Sequence, residues 1–192
     1  MGRQTAYEKA LRARLRDPQR WPAIPSTAFL NRLDRLASRA YERNTVDGAL
    51  AAVLVYHQLT EEMVRLLIQD IRFFVQLAVF PAEITFSDRR RQMFGQLAQE
   101  LDDGLDFPGK ERFLRRAARL NKIRIQVVHA LPRRGNLAGL RTQARRAQRL
   151  YQQCFWTFSE AHDWFRLSFK DFSKDKFEEW QPRERWITAR RS

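Results

Sequence analysis

The chain has a single cysteine, Cys154, in 192 residues. One thiol closes no intrachain disulfide and supplies no cysteine-type metal site, so a buried structural thiol beside Phe155 and Trp156 is the expected role. Glycine and proline are scarce, seven of each, which leaves room for long helices. Long apolar runs are missing: the longest, Ala49 to Tyr56, falls far short of the ~20 residues needed to cross a bilayer. Met1 to Arg20 is charged throughout and has no apolar signal region. These features predict a cytoplasmic protein with no membrane partner. His57, His129 and His162 are the only histidines, and no two have zinc-site spacing. There is no glycine-rich phosphate loop and no Gly-x-Ser-x-Gly elbow. Neither a metal nor a cofactor is expected.

Arginine, in contrast, is abundant. Of 36 basic residues only six are lysine, and the net charge is +14. Such an excess predicts attraction to a polyanion. Arginine, with its planar fork of donors, suits phosphate. Solvated helix faces are the alternative reading of the same charge. With 44% hydrophobic residues, the composition is that of a globular chain, and its length suits one domain.

Helical periodicity organises nearly all of it, predicting an all-α bundle of five to six helices. Residues 1–46 carry a short basic amphipathic helix from Thr5 to Arg16, a linker broken by Pro18, Pro22 and Pro25, and a helix capped by Ser26. Asp47 opens the longest apolar segment, central in the bundle and ending near Phe80-Pro81. His57 is expected there as a core histidine bonded to Glu61, one turn on. Ser87 is expected to cap a helix striped with Met93, Phe94, Leu97 and Leu101. A helix from Lys110 follows, with Phe113, Leu114, Ala117 and Leu120 inside and Arg112, Arg115, Arg116 and Arg119 as an outer basic strip. The loop holding Arg133 and Arg134 leads to a last long helix from about Leu137, carrying Arg141 and Arg145. His162 is expected at the surface or in packing. The bundle proper spans 47–171. The tail, 172–192, carries Phe172, Phe177, Trp180 and Trp186 and is expected to fold back on the bundle, an exposed aromatic arm being the alternative.

One hexapeptide carries chemistry: Arg124-Ile125-Gln126-Val127-Val128-His129. Its alternating, β-branched character is also a strand signature; helical flanks and the lack of any strand to pair with favour helix. A neutral histidine can take the proton of an RNA 2′-hydroxyl, which then attacks its own phosphate. An arginine can stabilise the charge that builds on the phosphate oxygens. DNA, lacking the 2′-hydroxyl, would not be cut this way. Positions five apart on a helix are rotated by about 140°. Both groups reach one phosphate only if the helix ends before His129, near Pro132, or if a second subunit contributes.

The hexapeptide follows Leu120-Asn121-Lys122-Ile123 and precedes Ala130-Leu131. Upstream, Ala49-Leu50-Ala51-Ala52 leads through Tyr56 to the acidic turn at Glu61 and Glu62. Together these resemble the HEPN superfamily, over roughly Asp47 to Asp171. The resemblance implies a dimeric, metal-independent ribonuclease of the toxin or defence type, with Arg124 bracing phosphate and His129 catalytic. RNA is the expected partner, with Arg112, Arg115, Arg116, Arg119, Arg133, Arg134, Arg141 and Arg145 of the basic helix faces and loop as the candidate contacts, and the toxin-type resemblance adds an antitoxin or other acidic protein as a second partner. Members without catalysis are known, which makes a regulatory or interaction protein the alternative. The chain departs from the pattern at Ile125, where active members commonly carry a polar residue, often Asn.

Overall fold

The computed structural model describes residues 5–24, 26–87, 92–130 and 139–172, with backbone alone for 129 and 130. Among these residues the chain is all-helical. Six α-helices form: α1 (Ala6–Arg16), α2 (Thr27–Glu42), α3 (Val46–Ala78), α4 (Phe94–Asp103), α5 (Lys110–Ala130) and α6 (Leu140–Asp171). No described helix is long and apolar enough to cross a membrane.

Local chemistry explains most of the ends. Thr5 and Glu8 form a reciprocal capping box at α1. Ser26 Oγ accepts the Phe29 N–H at the start of α2. Thr45, two residues before Asp47, caps α3 by accepting the Gly48 N–H. The start of α4 departs from expectation. Ser87 precedes the helix and instead offers its carbonyl to Arg72. The N-cap is Met93, whose N–H is taken by the Gln96 side chain at 2.9 Å. Met93 is 76% exposed and contributes nothing to the apolar stripe, which consists of Phe94, Leu97 and Leu101. Lys110, read from sequence as a helix start, is buried and donates to the carbonyls of Asp102 and Gly104, closing the C-terminal end of α4.

Three contacts fix the central pair of helices. Tyr56 stacks on Tyr151, Asp70 bonds His162, and Phe73 meets Phe169 edge-on. Both sequences advance together, so α3 and α6 run parallel. The Ser38–Tyr56 contact sets α2 antiparallel to α3, and Arg116 on Gln153 and Thr157 sets α5 antiparallel to α6. Parallel neighbours need a long crossover, which α4 and α5 supply. At 33 residues, α3 is about 50 Å long. It is buried on several sides, its residues joining one core with α1, α4, α5 and α6. The Pro-rich linker closes one end, with Trp21 donating its indole N–H to Leu15 and resting on Phe169. Phe172, the first residue of the tail, packs on Phe74; Phe177, Trp180 and Trp186 lie outside the described residues.

Gly48 lets α2 and α3 approach closely at their corner. A Cβ there would lie 2.2 Å from the Ala40 carbonyl oxygen, a backbone atom with nowhere to go. Gly95, at the start of α4, has nothing within 4 Å. Urea unfolding should therefore show Gly48→Ala losing about 1–3 kcal/mol through overpacking. Gly95→Ala should gain about 0.5 kcal/mol by stiffening the unfolded chain. Equal effects at the two positions would contradict the packing described for the α2–α3 corner.

Candidate nucleic-acid interface

The hexapeptide is helical throughout. α5 continues through His129 to Ala130, so the apolar alternation at 123–128 does not make a strand. Ile123 and Val127 are buried and Ile125 and Val128 exposed, as a helix with one inner face requires. The continuity also removes one of the two expected routes to a shared phosphate: the helix does not end before His129. Positions 124 and 129 stay about 140° apart around its axis. The His129 side chain lies outside the described residues.

Arg124 is half-buried, one turn beyond Asn121. Asn121 Oδ1 lies 2.9 Å from Nε2 of His57 on α3. Burial, and then the nearby Arg124 cation, push His57 below its ordinary pKa of 6.5, against weaker opposing effects of Asn121 and Glu61. His57 is therefore a neutral core histidine, tilted against Phe94. Its hydrogen bond goes to Asn121 and not to the expected Glu61, whose carboxylate holds Arg65 at 2.7 Å. The His57–Asn121 register brings Leu54 level with Arg124. Leu54, Ile125 and Val128 are all exposed, Ile125 next to Arg124 and Val128 one turn beyond it on the same helix.

The expected basic strip on α5 divides in two. Arg112, Arg115 and Arg119, joined by Lys122, are exposed at helical three- and four-residue spacing and make one solvent-facing cationic row. Arg115 has a 3.1 Å partner in Glu111, but both side chains are exposed and such pairs contribute little. Arg116 is turned inward. Its guanidinium donates to Thr157 Oγ1 at 2.6 Å and to the Gln153 carbonyl at 3.1 Å, tying α5 to α6. This geometry withdraws it from the expected RNA contacts. Arg141 and Arg145 are exposed and reach the end of α2, donating to the Asn44 carbonyl and the Tyr41 hydroxyl. Arg133 and Arg134 lie outside the described residues.

A second histidine pairing escaped the sequence. His162 Nδ1 lies 2.7 Å from Oδ2 of Asp70, which is fully buried on α3. Oδ1 of Asp70 has no hydrogen-bond partner among the described residues. Burial raises the pKa of Asp70 above its ordinary 3.8, and the His162 hydrogen bond and charge pull it back down. The His162 ring also stacks parallel on Phe158. Cys154 is buried, as expected, and desolvation pushes its thiol up to about 12, where it is no nucleophile.

Comparison with family models, with curated proteins and with solved structures gives no match.

Proposed function

We propose that the chain is an HEPN-like, RNA-binding homodimer that cuts RNA without a metal, using Arg124 and His129. The observation that carries this reading is the setting of Arg124: half-buried, with exposed Ile125 and Val128 beside it on α5, exposed Leu54 level with it on α3, and the cationic row of α5 leading to it. Exposed aliphatic side chains beside Arg124 favour self-association there. A twofold axis through this patch would bring two Arg124 and two His129 together, which supplies the shared phosphate that a single helix denies. Ile125, out of place as a polar partner for histidine, then serves as a dimer contact.

In such a site neutral His129 removes the 2′-hydroxyl proton, and the 2′-oxygen attacks the adjacent phosphorus. Arg124 braces the phosphate oxygens as negative charge gathers on them. The 5′-oxygen leaves, taking up the proton that the His129 imidazolium returns through the dimer site or through water, and the products end in a 2′,3′-cyclic phosphate and a 5′-hydroxyl. Arg112, Arg115, Arg119 and Lys122 hold the RNA backbone, with Arg133, Arg134, Arg141 and Arg145 extending the surface. The cytoplasm is the proposed place of action, and an acidic antitoxin-like protein is the proposed second partner. The alternative is a non-catalytic regulatory protein using the same basic surface, which the substitution of Ile125 for a polar residue favours.

Purified protein should degrade RNA in excess EDTA, leave DNA intact and yield 2′,3′-cyclic ends. Binding to a non-cleavable, 2′-deoxy single strand should weaken with salt at a log–log slope of about −3 for four phosphate contacts, about 50-fold between 50 and 200 mM. Salt-sensitive binding with intact RNA would transfer the assignment to the regulatory reading. No binding at low salt would remove both nucleic-acid readings.

A further inference from the structure

A cleft of about 520 Å³ opens between α2, α3 and α6. It lies on the side of α3 away from His57, since Leu59 in its wall is rotated about 200° from His57 on an ideal helix. Its floor includes the Tyr56–Tyr151 stack, centroids 4.8 Å apart. Phe155 and Trp156 form one lip, 45% and 69% exposed, large aromatics left open to solvent. Two carboxylates, Asp34 and Glu62, also line the cleft, and among the described residues no lysine or arginine does. Neither carboxylate has an ion-pair partner among the described residues. In a chain of net charge +14, a concave aromatic surface carrying only negative charge is an exception that needs a reason.

The chemistry complementary to this lining is specific. Aromatic faces attract cations through their negative π-surfaces, most strongly at tryptophan. Carboxylates add charge-assisted hydrogen bonds to N–H donors. The volume falls in the range of small-molecule sites, about 300–1,000 Å³, and is too small for a folded partner. A phosphate-bearing ligand would place its charge against Asp34 and Glu62. We propose that this cleft binds a small organic cation, an amine or amidinium on a flat apolar body, with the body between the tyrosine floor and Trp156 and the cation against Asp34 and Glu62. The Tyr151 hydroxyl faces Asp34; burial first, and then the Asp34 charge, raise its pKa and keep it protonated, so it remains available as a donor that orients the carboxylate.

The test uses benzamidine as probe and its uncharged counterpart benzamide as control, added to the full chain labelled with 5-fluorotryptophan. The Trp156 fluorine signal is assigned from Trp156→Phe. Benzamidine should shift that signal saturably, and benzamide should bind at least about tenfold more weakly. Asp34→Asn and Glu62→Gln, each near-isosteric, should each weaken benzamidine by about tenfold without altering the circular dichroism. Equal binding of benzamide, or benzamidine affinity unchanged in both variants, overturns the proposal and leaves an unselective apolar cleft. Tighter binding of adenosine monophosphate than of benzamidine overturns it in favour of a nucleotide.

Discussion

Replacing His129 with alanine should lower the rate of RNA cleavage by about 10²–10⁴-fold, the range for loss of a positioned general base. Arg124→Ala should cost about 10²–10³-fold, as removal of a donor aimed at developing charge does. RNA affinity should change little in His129→Ala, because the cationic row of α5 is untouched. Arg124→Lys should recover only part of the loss, since it restores the charge and not the forked donors. Arg124 also has a second effect to control for. Its charge helps hold down the pKa of His57, so Arg124→Ala should let that value rise, visible in the His57 imidazole shifts on titration. A variant that loses cleavage with an unchanged helical spectrum separates the chemical role from the structural one. Cleavage that survives both alanine substitutions would assign it to other groups.

The largest stability effect is expected at the other histidine. His162→Ala would leave the Asp70 carboxylate buried without its hydrogen-bond partner among the described residues, and breaking a buried pair costs about 3–5 kcal/mol. Because the His162 side chain is 20% exposed, the lower end, about 3 kcal/mol, is expected. The pH dependence follows from the direction of the Asp70 shift. The native value lies above 3.8, so between the two values the folded chain binds more protons than the unfolded one. Stability from this group therefore falls as pH climbs from 3.8 through the native value. Removing His162 takes away an influence that lowers the native value, so the fall extends further up the pH scale. Urea unfolding should show the His162→Ala loss shrinking as pH is lowered toward 3.8. Asp70→Asn should remove most of the difference, and the double variant should be more stable than His162→Ala alone. A loss independent of pH would mean that the Phe158 stack, and not the carboxylate, is what His162 supports.

Interactions within one helix were legible in the sequence, and those between distant segments were not. The helical reading of the hexapeptide followed from its flanks. The caps at Thr5 and Ser26 follow from short polar side chains ahead of apolar periodicity. The start of α4 differs from the expectation because a serine signals a cap from ahead of the helix, whereas this cap is made in reverse, by Gln96 reaching back to Met93. Arg116 has the charge of the outer strip but not its position. It stands three residues after Phe113 and four before Leu120, both fully buried, so it borders the inner face, where α6 offers it Thr157 and the Gln153 carbonyl. The two histidine pairings, by contrast, join residues 64 and 92 positions apart, and no spacing rule reaches that far. A four-residue offset points His57 to Glu61 because it reaches only neighbours on the same helix, whereas the partner, Asn121, lies on α5. The aliphatic setting of Arg124 likewise depends on Leu54, brought level by the antiparallel register of α3 and α5.

Subunit mixing tests the composite site most directly. Arg124→Ala and His129→Ala are purified separately, mixed in equal amounts, allowed to exchange subunits and assayed on RNA in EDTA. If each site takes Arg124 from one protomer and His129 from the other, half the molecules become mixed dimers with one intact site of two. Activity should then return from near zero to about a quarter of wild type, with a dimer seen by light scattering. A mixture as inactive as either parent, beside an active wild type, would contradict the shared site.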